Sequence, residues 1–107
     1  MPSPKDPANA PVWENYIVAQ LTQASLGVIP RNALALGIEV HDLTVRVHVQ
    51  MVELTPADQA DLDEIVSELG ALTGEAVQVD VVVEIRAQRH LPEGSPIRWV
   101  YLRRSEE

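Results

Sequence analysis

Between Ala33 and Glu53 the chain alternates apolar with other residues at a period of two. Leu34, Leu36, Ile38 and Val40 alternate with Ala33, Ala35, Gly37 and Glu39. Leu43, Val45, Val47, Val49 and Met51 alternate with Thr44, Arg46, His48 and Gln50. This period belongs to half-buried strands, whose successive side chains point to opposite faces. A two-residue loop at His41-Asp42 pairs Val40 with Leu43, Ile38 with Val45, Leu36 with Val47 and Leu34 with Val49. Every apolar residue then lands on one face. A slip of one residue would turn the whole set to water. His-Asp is not the favoured loop pair, but both residues tolerate positive φ better than most.

The flanking segments read at the helical period. Trp13, Ile17, Leu21 and Ala24 line one face of a helix that starts at Pro11, runs to about Leu26, and is stopped by Gly27 and Pro30. Thr55-Pro56 opens a second helix, with Thr55 as N-cap and Asp58 three residues on. Leu62, Ile65, Val66, Leu69 and Leu72 form its apolar stripe, and Gly70 or Gly74 ends it. Val77 to Ile85 and Ile97 to Arg103 read as a third and a fourth strand, separated by the turn Pro92-Glu93-Gly94-Ser95-Pro96. The expected fold is α+β, order α-β-β-α-β-β, with a four-stranded antiparallel sheet and both helices on one face. Residues 1–10 read as a flexible leader, 11–104 as the single α+β domain and 105–107 as a tail.

Composition narrows the function classes. The chain has 107 residues and no cysteine, which removes disulfides, thiolate metal sites and cysteine nucleophiles. A net charge of -8 argues against nucleic acid and anionic membranes as partners. No secretory or membrane-spanning segment is read, so the expected compartment is the cytoplasm. His41, His48 and His90 lack ligand spacing, Ser95 sits in a turn, and no glycine-rich phosphate loop occurs. The reading is therefore of a non-enzyme with no cofactor and no metal.

Four features suggest contact surfaces. The segment Glu53–Glu75 holds seven acidic residues and no basic one. Within its helix, Asp58, Asp61, Glu64 and Glu68 are the candidate partner-binding residues. Asp61, Glu64 and Glu68 fall within about 60° of one another. Glu64 and Glu68 repel as an i,i+4 pair, at a cost of about 0.2–0.5 kcal/mol. The plainer reading is a solvated face. The functional one is a dock for a basic surface. Residues 86–104 hold five arginines and one acid, so charge is polarised along the chain. The first helix carries Glu14 alone between Pro7 and Pro30, and is apolar on two sides. Its second neighbour is either the other helix or another chain. Trp99 and Tyr101 are expected on the open sheet face with Arg46 and Arg86, the alternative interface.

In size, charge, acidic helix (Asp58, Asp61, Glu64, Glu68) and lack of a catalytic constellation, the chain resembles the small acidic immunity proteins that bacteria co-express with polymorphic or contact-dependent toxins. Its acidic helix is similar in use to that of barstar-type inhibitors, from whose parallel sheet the expected topology departs. Trp13-Glu14-Asn15-Tyr16 and Trp99-Val100-Tyr101 also look like segments of small proteins from GC-rich bacteria. The resemblance implies a protein partner with a basic surface, such as a toxin domain. The alternative is a homodimer or larger homo-oligomer, a structural or adaptor protein associating through the first helix or the open sheet face. A third class, a small enzyme or ligand binder, would need a pocket between helices and sheet.

Overall fold

The alternating segment forms the antiparallel hairpin its pattern predicts, β1 (Ala33–His41) and β2 (Thr44–Met51). The computed structural model describes residues 10–25, 27–74 and 76–103. The expected tail, Leu26 and the expected leader apart from Ala10 lie outside the described residues. Val45, Val47, Val49, Met51, Leu36 and Ile38 are all buried, as the alternation requires.

The pairing itself is shifted by two residues from the predicted one. Val40 pairs with Val45, Ile38 with Val47 and Leu36 with Val49, and the loop is Asp42-Leu43. A shift of two leaves every side chain on its own face, so hydrophobic alternation cannot choose between these registers. Turn chemistry does. Asp42 takes a φ of 54°, in the left-handed region that aspartate enters more easily than most residues. Its carbonyl also accepts a 2.8 Å hydrogen bond from the Trp13 indole.

Helix α1 (Ala10–Ala24) places Trp13, Ile17, Leu21 and Ala24 in the core. Helix α2 (Pro56–Thr73) contributes Leu62, Ile65 and Leu69 to the same cluster. The two helices pack together and on the sheet. The second apolar side of α1 is met within the chain at Tyr16, whereas Ala19 is exposed. Tyr16 stacks on Trp13 with ring centroids 5.7 Å apart and donates a 3.4 Å hydrogen bond to the Leu72 carbonyl. Thr55 caps α2 through its side chain, Pro56 opens it, and Gly74 closes it at a φ of 96°.

Strands β3 (Gln78–Ile85) and β4 (Arg98–Leu102) complete a four-stranded sheet of order β3-β2-β1-β4. The expectation of an all-antiparallel sheet is corrected at one pair, since β3 runs parallel to β2. Between them α2 carries the chain back to the end from which β2 started. A strand–helix–strand crossover delivers its second strand parallel to the first. The sheet is therefore mixed. Among the described residues, no helix is long and apolar enough to cross a membrane.

Strand β4 corrects a second expectation. Trp99 pairs with Gly37 and Tyr101 with the adjacent Leu36, so the ladder is irregular at Val100. An extra residue on one strand reverses the facing of the residues beyond it. Trp99 lies on the open face, and Tyr101 turns to the helix side against the core.

Leu69 is fully buried between α2 and the sheet. Its truncation to alanine should cost about 2–5 kcal/mol by loss of burial and an unfilled cavity. Urea unfolding measures this, and a loss below about 1 kcal/mol would contradict the packing of α2.

Candidate functional site

The sheet face away from the helices is built from the other parity of the same strands. One row across it reads Val82, His48, Gly37, Trp99. The neighbouring row reads Asp80, Arg46, Glu39. Strands β3 and β4 occupy opposite edges, so the segment joining them must traverse the sheet. It passes over this open face. Gln50, although polar, is buried there because it holds that segment: its amide donates to the His90 carbonyl and accepts from the His90 N–H at 2.7 Å. Between segment and sheet lies a groove of about 400 Å³, lined by His48, Val82, Glu84, Pro92, Ile97 and Trp99 among others.

Gly37 lies beneath two of the lining residues, Trp99 and Ile97. A Cβ at this position would stand 2.6 Å from Trp99 Cε3 and 2.7 Å from Ile97 Cγ2. The indole therefore lies directly on the backbone, and glycine is required for the close approach.

Beside the groove, Glu39 bridges two histidines. One of its oxygens meets His41 Nε2, and the other meets His48 Nε2 at 2.9 Å. Hydrogen bonding from His41 and then His48 holds the Glu39 carboxyl below the ordinary glutamate range, against the opposing effect of burial. The cluster joins Glu39 and His41, two apart on β1, to His48 across the hairpin. Sequence spacing did not reveal it, because the predicted register set His48 opposite Ala35 instead of Gly37. Each imidazole bonds a separate carboxylate oxygen. Among the described residues, no group of three or more His, Asp or Glu side chains is arranged to hold a metal ion.

Three polar side chains of the groove are committed within the chain: His48 to Glu39, Gln50 to His90, and Glu84 to Arg86 at 2.9 Å. The face thus offers shape and apolar contact. Of the residues expected there, Arg46, Arg86 and Trp99 are on it, and Tyr101 is not.

The acidic helix divides in the same way. Glu64 and Glu68 are exposed and Asp61 is half-buried. Asp58 is only 2% exposed and is withdrawn from the surface set. Its carboxylate accepts from the Thr55 N–H at 3.0 Å, the Thr55 hydroxyl at 2.9 Å and the Asn32 side-chain amide at 2.7 Å. It ties the start of α2 to the turn before β1. Burial alone would raise the Asp58 pKa, but the bonds from Asn32 and Thr55 outweigh it and the net shift is downward. The spacing Thr-x-x-Asp pointed to this cap, and a capped carboxylate is not free for a partner.

No protein-family model matches the chain, and no curated protein matches it. The functional reading rests on its own residues.

Two outcomes are expected from this geometry. Gly37→Ala should push the Trp99 indole off the sheet, with a loss of about 1–3 kcal/mol and a red shift of tryptophan emission. Unchanged emission and stability would place the indole elsewhere. Asp58→Asn should cost about 1.5–3 kcal/mol at neutral pH, the worth of hydrogen bonds to a charged group. Because the folded pKa of Asp58 lies below its unfolded value, its contribution is full above the unfolded value and is lost as pH falls through the folded one. The gap between wild type and variant in urea unfolding should therefore narrow in acid. A gap constant with pH would contradict the assignment.

Proposed function

We propose that the protein is a non-catalytic protein-binding domain, an immunity-type inhibitor that neutralises a bacterial toxin by setting the outer side of α2 against a basic surface of its partner. The observation that supports this is the idleness of Asp61, Glu64 and Glu68. None of their side chains takes part in a hydrogen bond or ion pair among the described residues, whereas Glu14, Glu39, Asp58, Asp63, Asp80 and Glu84 are all engaged. Asp42, Glu53 and Glu93 share this idleness singly, but Asp61, Glu64 and Glu68 stand together on one helix. The adjoining side of α2, about 100° round the helix, is anchored by Leu62, Ile65 and Leu69, so the three carboxylates ride on a rigid support. Like charges on one helix side cost stability and return nothing to the fold. They gain value on meeting a complementary surface, where they steer encounter and select the partner.

Homo-oligomerisation through α1 is the alternative reading, with less support because Tyr16, on the flank that suggested it, is engaged by Leu72 of α2. The open face, with Arg46, Arg86 and Trp99, is the second candidate surface for a protein partner.

The test is a double reversal, Glu64→Lys with Glu68→Lys, made in the protein used to capture its partner from the native host. Folding stability should move by less than about 1 kcal/mol, as for exposed substitutions. Association should slow markedly and lose its salt dependence if the charges steer encounter. If they are desolvated at the centre of the interface, dissociation should quicken at a cost of about 2–5 kcal/mol. Unaltered capture and unaltered rates would reduce the acidic side to a solubility feature.

A further inference from the structure

The two edges of the sheet are treated differently by the sequence. Strand β4 is five residues long, carries an irregularity at Val100, begins with Arg98 and is followed by Arg103. Shortness, a bulge and basic charge are devices by which an edge refuses further strands. Strand β3 has none of these within it. It is eight residues long, pairs with β2 without a register shift, and contains no proline or basic residue. Val82 on its open face is 42% exposed and Ile85 at its end is 57% exposed.

Among the described residues, the main chain of this edge is unused on its outer side. Gln78 and Arg86 direct their N–H groups inward, to the carbonyls of Leu43 and Met51. Inward and outward residues alternate along a strand, so Val79, Val81, Val83 and Ile85 present N–H and C=O to the free edge. Those groups are a template for one more strand.

We infer that the occupant is β3 of a second copy of this chain, paired antiparallel about a twofold axis perpendicular to the sheet. Such an axis keeps the helices of both copies on one side. It therefore allows only pairings in which residues of the same face stand opposite each other. Centred on Val82, the pairing sets Asp80 against Glu84 of the second copy, twice, which repels. Centred on Val83, it sets Asp80 against Arg86 of the second copy, twice, and Val81 against Ile85 of the second copy. The most exposed apolar residue of the strand is then covered, and opposite charges face each other across the new ladder. The inference uses the main chain of β3 and its own side chains and none of the carboxylates of α2, so it does not depend on the proposed function.

The experiment combines sedimentation equilibrium with amide exchange by NMR at two protein concentrations. A dimer mass is expected, and the amides of Val81, Val83 and Ile85 should become protected as concentration rises, at least tenfold more than in the dilute sample. Asp80→Arg should shift the equilibrium to monomer by at least tenfold, and Asp80→Arg with Arg86→Asp should restore the dimer. A monomer at millimolar concentration whose outward amides exchange as fast as loop amides overturns the inference. So does a dimer that leaves those amides unprotected, or one indifferent to the charge exchange. The wild-type exchange pattern decides the matter even if a variant fails to fold.

Discussion

Strand β2 is the member on which the other elements converge. It lies inside the sheet, with β1 antiparallel on one side and β3 parallel on the other. Val45, Val47, Val49 and Met51 stand beneath the helices at no more than 1% exposure. Each such side chain contributes about 1.5–3 kcal/mol on leaving water. A backbone bonded on both sides cannot slide, so these four residues set where Leu62, Ile65 and Leu69 of α2 must lie. That placement in turn sets the side of α2 left to solvent. The acidic surface is thus bounded by the core, since carboxylates at the buried positions of Leu62, Ile65 and Leu69 would lose their water.

The other parity of β2 is as consequential. His48 and Gln50 both face the open side, and both are tied to chain distant in sequence or across the hairpin. Gln50 acts as a piece of backbone, offering one donor and one acceptor to His90. A sheet face that would otherwise be bare acquires a covering segment without an added element of secondary structure. Strand β2 therefore determines both surfaces of the sheet, one through burial and the other through hydrogen bonding.

The helices, the strand faces and the cap were legible because each rests on local chemistry. Thr55-Pro56 with Asp58 specifies a helix start irrespective of the rest of the fold. The spacing Trp13, Ile17, Leu21 specifies one helix side. What escaped depends on pairs of residues, or on a single backbone conformation. Two registers of the first hairpin satisfy the same hydrophobic alternation, and the positive φ of Asp42 selects the other one. That one difference hid the Glu39, His41 and His48 cluster, which assembles only when His48 lies beside Gly37. The irregularity at Val100 carries no composition signal, so alternation wrongly placed Trp99 and Tyr101 together. The parallel pairing of β3 follows from the α2 crossover, a long-range fact that a strand's own residues do not encode. For the candidate surface, charge pattern identified the helix, and burial was needed to set Asp58 apart from Asp61, Glu64 and Glu68.

The strand order has a consequence in time as well as in space. Strand β1 is bordered on one side by its hairpin partner and on the other by β4, which comes some distance later in the chain. As the chain emerges from the ribosome, α1, the hairpin, α2 and β3 can all assemble before Arg98–Leu102 is available. Throughout that interval the outer border of β1 is bare, and it belongs to one of the most apolar stretches of the molecule. The late strand is a closing seam. Loop closure over a long separation is slow relative to hairpin formation. The nascent protein is therefore most exposed to misassociation just before its final strand docks.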